Sequence, residues 1–235
     1  SGVRIVELAG IGPAPFCGMM LGDMGAEVLK IEEPVHGDDT RAWAPFQDGV
    51  STFFLGMNRS KKSVALDLKV PEGAEALRRL IRTADVLIEN FATGVMKRLG
   101  LDYEAIRQIR PSIVYCSVSA YGKNTEFANR PGFDSVVQAE SGFVSMNGHG
   151  DRDGVRSASS VMDIATALFA SNAVLAALVR RQVSGDGCHV EVPLFGSALS
   201  MTGYAAMQTL CRGTSPERHG NTSPDSCPTG VFRCR

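Results

Sequence analysis

Short apolar runs recur along this chain, each followed by a stretch of helical periodicity, and that alternation leaves few folds open. Residues 3–8 form an apolar run ending in Ala-Gly-Ile-Gly-Pro, after which residues 15–24 carry apolar side chains at helical spacing. Residues 27–32 (Glu-Val-Leu-Lys-Ile-Glu) read as a second strand, followed by a polar loop through Pro45 and Asp48. Residues 63–68 alternate as a third strand, Pro71 opens a helix to about Thr83 as a first-turn proline, and residues 86–89 make a fourth strand. Short helices at 94–99 and 103–109 precede a fifth strand at 113–119. Strands joined through helices run parallel and are buried on both sides. The expected class is therefore α/β, a mainly parallel sheet with helices on both faces.

After Tyr121 the pattern changes to a polar loop reaching Pro131, a helix from about Asp134, a charged loop at 149–156 and a long helix after Asp163. A last strand at 189–192 leads into another helix. From Gly213 the text turns to Thr-Ser-Pro-Glu-Arg-His-Gly-Asn-Thr-Ser-Pro-Asp-Ser, the composition of a domain exit. Residues 1–212 thus read as one large domain, and residues 213–235 as a linker and the start of a smaller one, ending in what looks like a new strand at Arg235. A length of 235 residues at 44% hydrophobic content supports a substantial core and excludes a disordered chain.

Lys and Arg total 24 against 25 for Asp and Glu, so no net field draws the chain to nucleic acid or to an acidic membrane surface. The longest apolar stretch, residues 164–179, is interrupted by Thr166, Ser171 and Asn172 and falls short of the ~20 residues a membrane span needs, so it reads as a core helix. Structure is expected from Val3 onward, with no signal peptide ahead of it. The six cysteines include no C-x-x-C pair and have no histidine at zinc-ligand spacing. They read as thiols of a reducing compartment such as the cytoplasm, with no metal site.

Gly10-Ile-Gly12 after a strand, with Glu32 about twenty residues on, mimics a dinucleotide fingerprint. The match fails where the chemistry matters. A pyrophosphate is held by backbone N–H groups at the helix start, and Pro13 and Pro15 have none. The turn reads either as a border of another ligand or as a plain strand-to-helix corner.

Four stretches carry a resemblance: Gly12 through Glu32, Gly37-Asp-Asp-Thr-Arg41, Asn58-Arg-Ser-Lys-Lys-Ser-Val-Ala-Leu-Asp-Leu-Lys69, and Arg130-Pro-Gly-Phe-Asp134. In this order they resemble the class III coenzyme A transferases of CaiB/BaiF type, a family that also includes the α-methylacyl-CoA racemases. The resemblance implies a Rossmann-like large domain, a small domain absent from this chain, and two subunits interlocked as rings in a homodimer. It implies acyl-CoA and a small carboxylic acid as ligands.

The family nucleophile is an aspartate at the start of a long helix, the place of Asp163 in Val161-Met-Asp163-Ile-Ala-Thr. Read on its own, an Asp before an apolar helix is an N-cap, and the two roles are compatible. The helix N-terminus is expected to keep the carboxylate ionised, the form that attacks a thioester. The implied chemistry runs through a mixed anhydride and an aspartyl-CoA thioester, for which a carboxylate suits better than Ser or Cys because the acyl group is exchanged between carboxyls of similar energy. By position, Arg41, Lys69 and Arg98 match family residues near the CoA nucleotide, with Leu66 and Phe91 as apolar neighbours and Asn90 beside them. Ile11, Gly12 and Pro13 match the turn bordering the pantetheine end, and Gly132, Phe133 and Asp134 are grouped with the cofactor-binding set.

A racemase needs a second acid/base opposite the aspartate, supplied in those relatives by a histidine in Gly-His-Asp. Phe133 stands at that position and carries no proton, which favours transfer over racemisation. A non-catalytic nucleotide-binding fragment is the third reading. His149 sits in a charged loop and reads as solvated, and His36, His189 and His219 show no triad partner. Lys123-Asn-Thr-Glu-Phe127 and Asn221-Thr-Ser-Pro-Asp-Ser226 depart from the family pattern, the second where formyl-CoA transferases carry a mobile glycine run, which argues against a formyl/oxalyl substrate pair.

Overall fold

A computed structural model describes residues 2–223 and 226–234. The elements follow in chain order as β1 (Arg4–Leu8), α1 (Pro13–Asp23), β2 (Glu27–Glu32), a 3-10 turn (Asp39–Ala42), β3 (Phe46–Gln47), β4 (Val50–Ser51), α2 (Thr52–Asn58), β5 (Lys61–Ala65), α3 (Pro71–Ile81) and β6 (Val86–Glu89). They continue as α4 (Val95–Arg98), α5 (Tyr103–Ile109), β7 (Val114–Ser119), α6 (Asp134–Glu140), α7 (Phe143–Met146), α8 (Val161–Ser184), β8 (Cys188–Pro193), α9 (Leu194–Met201) and α10 (Tyr204–Arg212).

Six strands pair in the order β5-β2-β1-β6-β7-β8, every pairing parallel. The chain therefore winds outward one way from β1 through β2 to β5, then returns to the other side of β1 with β6. In open sheets of this kind a crevice forms beyond the carboxyl ends of the strands where that reversal occurs. The β1/β6 boundary is that point.

Alternation along the strands sorts side chains to two faces. Ile5, Val86, Ile88, Val114, Cys116 and Val118 meet α1 and α8 through Ala14, Cys17, Leu21, Ala167, Ala170 and Val174. On the opposite face Val6, Leu8, Leu87 and Tyr115 meet Leu77 and Ile81 of α3 and Ile106 of α5. A smaller cluster of Tyr121, Val137, Met162, Leu194 and Ala198 ties α6, α9 and the start of α8 together.

The helix α8, 24 residues long, is long and apolar enough to cross a membrane by length and composition, contrary to the expectation that its apolar run is too short. Here Thr166, Ala167, Ala170 and Ser171 are buried within the protein, because their small side chains let α8 approach α1 closely. A short antiparallel hairpin, β3 with β4, and the helix α2 occupy what the sequence suggested was loop. Asp48 and Gly49 both take positive φ, 51° and 79°, at its two-residue turn.

At the carboxyl end, α10 stops at Arg212 with Gly213 left-handed. The exit segment then folds back: Arg218 donates to the carbonyls of Ser145, His149 and Arg152, and the Gly220 N–H to Gly148 O at 2.9 Å. Residues 226–234 contain no strand. Pro224 and Asp225 of the Asn221–Ser226 run, and Arg235, lie outside the described residues.

Candidate active site

A cavity of about 600 Å³ opens at the β1/β6 boundary, within the size range of small-molecule sites. Three strand ends contribute to it: Gly10–Pro13 after β1, Asn90 and Phe91 after β6, and Ser119 and Ala120 after β7. Gly132, Phe133, Asp134 and Asp163 also line it, with Asp39, Val118, Ser135, Arg156, Ser160 and Leu194 completing the lining. A second cavity of about 300 Å³ continues from Asn90 and Phe91 past Thr93 and Arg130.

The turn after β1 is pinned from two sides. Asn90 accepts the Gly10 N–H at 3.2 Å and donates Nδ2 to the Ile11 carbonyl at 2.8 Å. Below, the buried Lys30 donates to the Ala9 carbonyl at 2.6 Å while paired with Glu7 and Asp38, and Lys61 donates to Pro15 O at 2.8 Å. Glu7, Lys30, Asp38 and Lys61 thus form two cations and two anions, all with almost fully buried side chains, stacked beneath the turn. Burial pushes the Glu7 carboxyl up and the Lys61 ammonium down, against their mutual attraction. Gly18 leaves the space Glu7 occupies: a Cβ there would overlap Glu7 Oε2.

At the turn itself Gly12 has φ 86°, a conformation that suits glycine. A methyl placed on Gly12 would stand 3.6 Å from the carboxyl carbon and both oxygens of Asp163. The chain can therefore run directly over that carboxylate.

Asp163 is not the N-cap that the sequence suggested. It is the third residue of α8, and the flanking Ser160 makes no side-chain cap. The cap comes from Asp134, whose Oδ1 accepts the N–H of Met162 at 2.7 Å and of Asp163 at 3.2 Å. Gln138 donates to the other oxygen of Asp134 and accepts the Ser157 N–H at 2.8 Å. Asp134, grouped by sequence with ligand contacts, is thus first a brace for the helix that carries Asp163. Asp163 itself is left without a hydrogen-bond partner on its carboxylate among the described residues.

The expectation of a fully ionised carboxylate does not hold for the empty site. Burial first, and the Asp134 charge second, raise the Asp163 carboxyl from 3.8 to about 7. Helix-terminus stabilisation is worth only a few tenths to one kcal/mol near a surface, too little to cancel desolvation of this size.

Of the residues singled out by sequence, Ile11, Gly12, Pro13, Asn90, Phe91, Gly132, Phe133, Asp134 and Asp163 line one cavity. Gly132 fits because a Cβ there would lie 2.8 Å from that of Ala120. Arg41, Leu66, Lys69 and Arg98 do not line it. Arg41 forms a two-point pair with Glu32, Nε to Oε2 at 2.7 Å and Nη2 to Oε1 at 2.8 Å, over the Phe54 ring. Burial opposes ionisation of Glu32, but hydrogen bonds from Arg41, Ser63 and the Asp38 backbone, with the Arg41 charge, together outweigh it and hold this carboxyl at about 2. Leu66 packs on the core around Leu77, and Lys69 and Arg98 are exposed.

Asp39 and Arg156 line the cavity without having been singled out, since nothing in their local sequence separates them from surface charges. His189 does have a hydroxyl partner, with Nε2 2.9 Å from Ser117 Oγ, which in turn donates to Glu89. Ser117 is 1% exposed, so this set joins β7 to β8 and offers no access to substrate.

A parallel α/β domain with a switch-point crevice, lined by a buried carboxylate and a glycine turn that faces it, has the form of a small-molecule-binding domain. All of residues 1–235 match the family model for CoA-transferase family III, and the chain belongs to that family. It is 40% identical to a succinate–glutarate CoA-transferase of Agrobacterium fabrum, covering 98% of this chain and 60% of that protein. An acetyl-CoA:oxalate CoA-transferase of Acetobacter aceti is 37% identical over all of this chain and 60% of its own length. The crystal structure of a CAIB/BAIF family protein from Brucella suis superposes with TM-score 0.93 at 37% identity, covering 99% of this chain and 63% of that one. The chain spans 54–60% of the length of the first curated relatives it matches.

Proposed function

We propose that the protein containing this chain transfers coenzyme A from an acyl-CoA donor to a carboxylic acid, with Asp163 as the nucleophile. The observation that carries this reading is the Asp163 carboxylate, free of hydrogen-bond partners among the described residues and facing the Gly12 turn inside the switch-point cavity. Attack by Asp163 on the donor thioester forms an aspartyl–acyl anhydride and releases CoA thiolate. The thiolate adds to the aspartyl carbonyl, forming an aspartyl thioester and expelling the donor acid. The acceptor carboxylate reverses both steps, leaving Asp163 as it began. Every step exchanges one acyl oxygen or sulfur bond for another, so no redox partner is required.

Several features support the ligand assignment. Ile11, Gly12 and Pro13 border the thiol-bearing arm, and Asn90 and Phe91 lie where that arm leaves the cavity. Exposed Lys69 and Arg98, which carry no ion pair among the described residues, are the cations assigned to the phosphates, with Leu66 nearby, whereas Arg41 is already committed to Glu32. Relatives named for succinate, glutarate and oxalate favour a dicarboxylic acid as one substrate.

A homodimer is part of the proposal, supported by the exposed apolar stripe Leu168, Leu175, Val179 and Val183 of α8 and by exposed Tyr204, Met207 and Leu210 of α10. A reducing, cytoplasm-like compartment is supported by free thiols at all six cysteines. Racemisation is disfavoured because no histidine among the described residues lines the cavity, and the exposed Phe133 occupies the wall.

The test is to incubate the full-length protein containing this chain with succinyl-CoA or glutaryl-CoA and trap with hydroxylamine or borohydride. Mass spectrometry is expected to find the label on the peptide containing Asp163. A label elsewhere, or α-proton exchange with deuterated water in place of transfer, rejects the assignment.

A further inference from the structure

Within the main cavity the charged lining is Asp39, Asp134, Asp163 and Arg156, so a single guanidinium faces three carboxyl groups. Arg156 is exposed and forms no ion pair among the described residues; its one hydrogen bond runs from Nη1 to the Ser157 carbonyl at 3.3 Å. The backbone beside it is nonetheless tied to that of Asp163. The neighbouring Ser157 N–H binds Gln138, Gln138 binds Asp134, and Asp134 caps the backbone of Asp163. A charged fork on backbone tied to the proposed nucleophile, the one cation of the lining among the described residues, suits one kind of group. That group is a planar anion that enters with the substrate and does not react.

We infer that Arg156 is the specificity-determining residue that binds the distal carboxylate of a dicarboxylic acid while its proximal carboxyl exchanges at Asp163. The inference rests on the CoA-transfer reading of Asp163 and deepens it. A monocarboxylic acid of equal length leaves the guanidinium without its anion, whereas a dicarboxylate without Arg156 meets no cation in the lining among the described residues.

The experiment compares glutarate with valerate as acceptors, using the full chain, Arg156→Gln and Arg156→Lys. The ratio of kcat/KM for glutarate over valerate is expected to fall about ten- to hundredfold in Arg156→Gln, mainly through KM for glutarate, as loss of a charge-assisted pair implies. Arg156→Lys, keeping the charge, is expected to retain part of the ratio. An unchanged ratio in Arg156→Gln overturns the assignment, and so does a rise confined to the KM for acyl-CoA, which places the guanidinium on the phosphates. If the unaltered chain transfers CoA to no acid, the reading of Asp163 falls and this one with it. If it is active and only the ratio fails to move, the Arg156 assignment alone falls.

Discussion

Asp134 Oδ1 accepts the backbone N–H of Asp163 at 3.2 Å, so the residue that aims the proposed nucleophile also raises its proton affinity. Two effects of opposite value come from one carboxylate. The cap orders the first turn of α8, and the charge adds to the burial that keeps Asp163 partly protonated near neutrality.

Replacing Asp134 separates them. Asp134→Asn removes the charge, and the midpoint of the acylation rate against pH is expected to move below about 7, though not to 3.8, because burial is the larger cause. Asp134→Ala also removes the cap and is expected to cost about 1–2 kcal/mol in denaturant unfolding. An unmoved midpoint in Asp134→Asn would show that burial alone sets it.

For the unaltered chain, acylation of Asp163 is expected to rise with pH through about 7 as the attacking carboxylate forms. The stability consequence has the opposite sense. Folded Asp163 holds its proton to about 7 and the unfolded chain releases it near 3.8, so its contribution is complete below 3.8 and is lost as pH climbs through about 7. Asp163→Asn should therefore stabilise the fold at pH 8 by on the order of 1–2 kcal/mol after solvent screening, with no gain at pH 3.5. Unfolding curves at the two pH values check it, alongside loss of turnover.

Gly12→Ala forces a side chain onto a backbone at φ 86° and sets a methyl 3.6 Å from the Asp163 carboxyl. A stability loss of about 1–2 kcal/mol is expected. Acylation should fall much further than that loss explains, because the methyl occupies the approach to the nucleophile. Wild-type acylation by a stably folded variant would show that substrate reaches Asp163 from another side.

Lys30→Met leaves Asp38 without its cation inside the protein, and an unpaired buried charge typically costs 3–5 kcal/mol, so unfolding should shift by about that amount. The Ala9 carbonyl loses its donor too, and the turn over Asp163 should loosen, seen as faster amide exchange at Gly10 and Gly12. Adding Asp38→Leu is expected to recover part of the stability.

The central strands β1, β6 and β7 were legible because each is a short, largely buried apolar run walled by turn residues. The edge strand β5, Lys-Lys-Ser-Val-Ala with no buried residue, left only an alternation, and it lies at 61–65 rather than 63–68. The main-sheet strand order was not legible, since order depends on where each crossover lands. Lys30 in Val-Leu-Lys-Ile reads as the solvent position of an alternating strand, yet the same parity points it at Glu7 beneath the turn. No local pattern distinguishes the two. The hairpin of β3 and β4 did leave a signal, the Asp48-Gly49 pair between Gln47 and Val50, which the surrounding polar loop masked. Asp163 stands out by its place in the family's order of motifs, but the cap on its backbone lies 29 residues away in sequence, beyond any capping rule that reads neighbours.

The first turn of α1 contains Pro13 and Pro15, and of its opening three residues Ala14 alone keeps an amide hydrogen. A sheet wound like those that grip diphosphates has thereby had its anion seat switched off at the same spot. What settles against that turn is selected by shape and by lack of charge, and in the proposed reading the phosphates of a ligand bind elsewhere. A thioester beside Asp163 then meets a wall that neither competes for its oxygen nor stabilises a bystander phosphate.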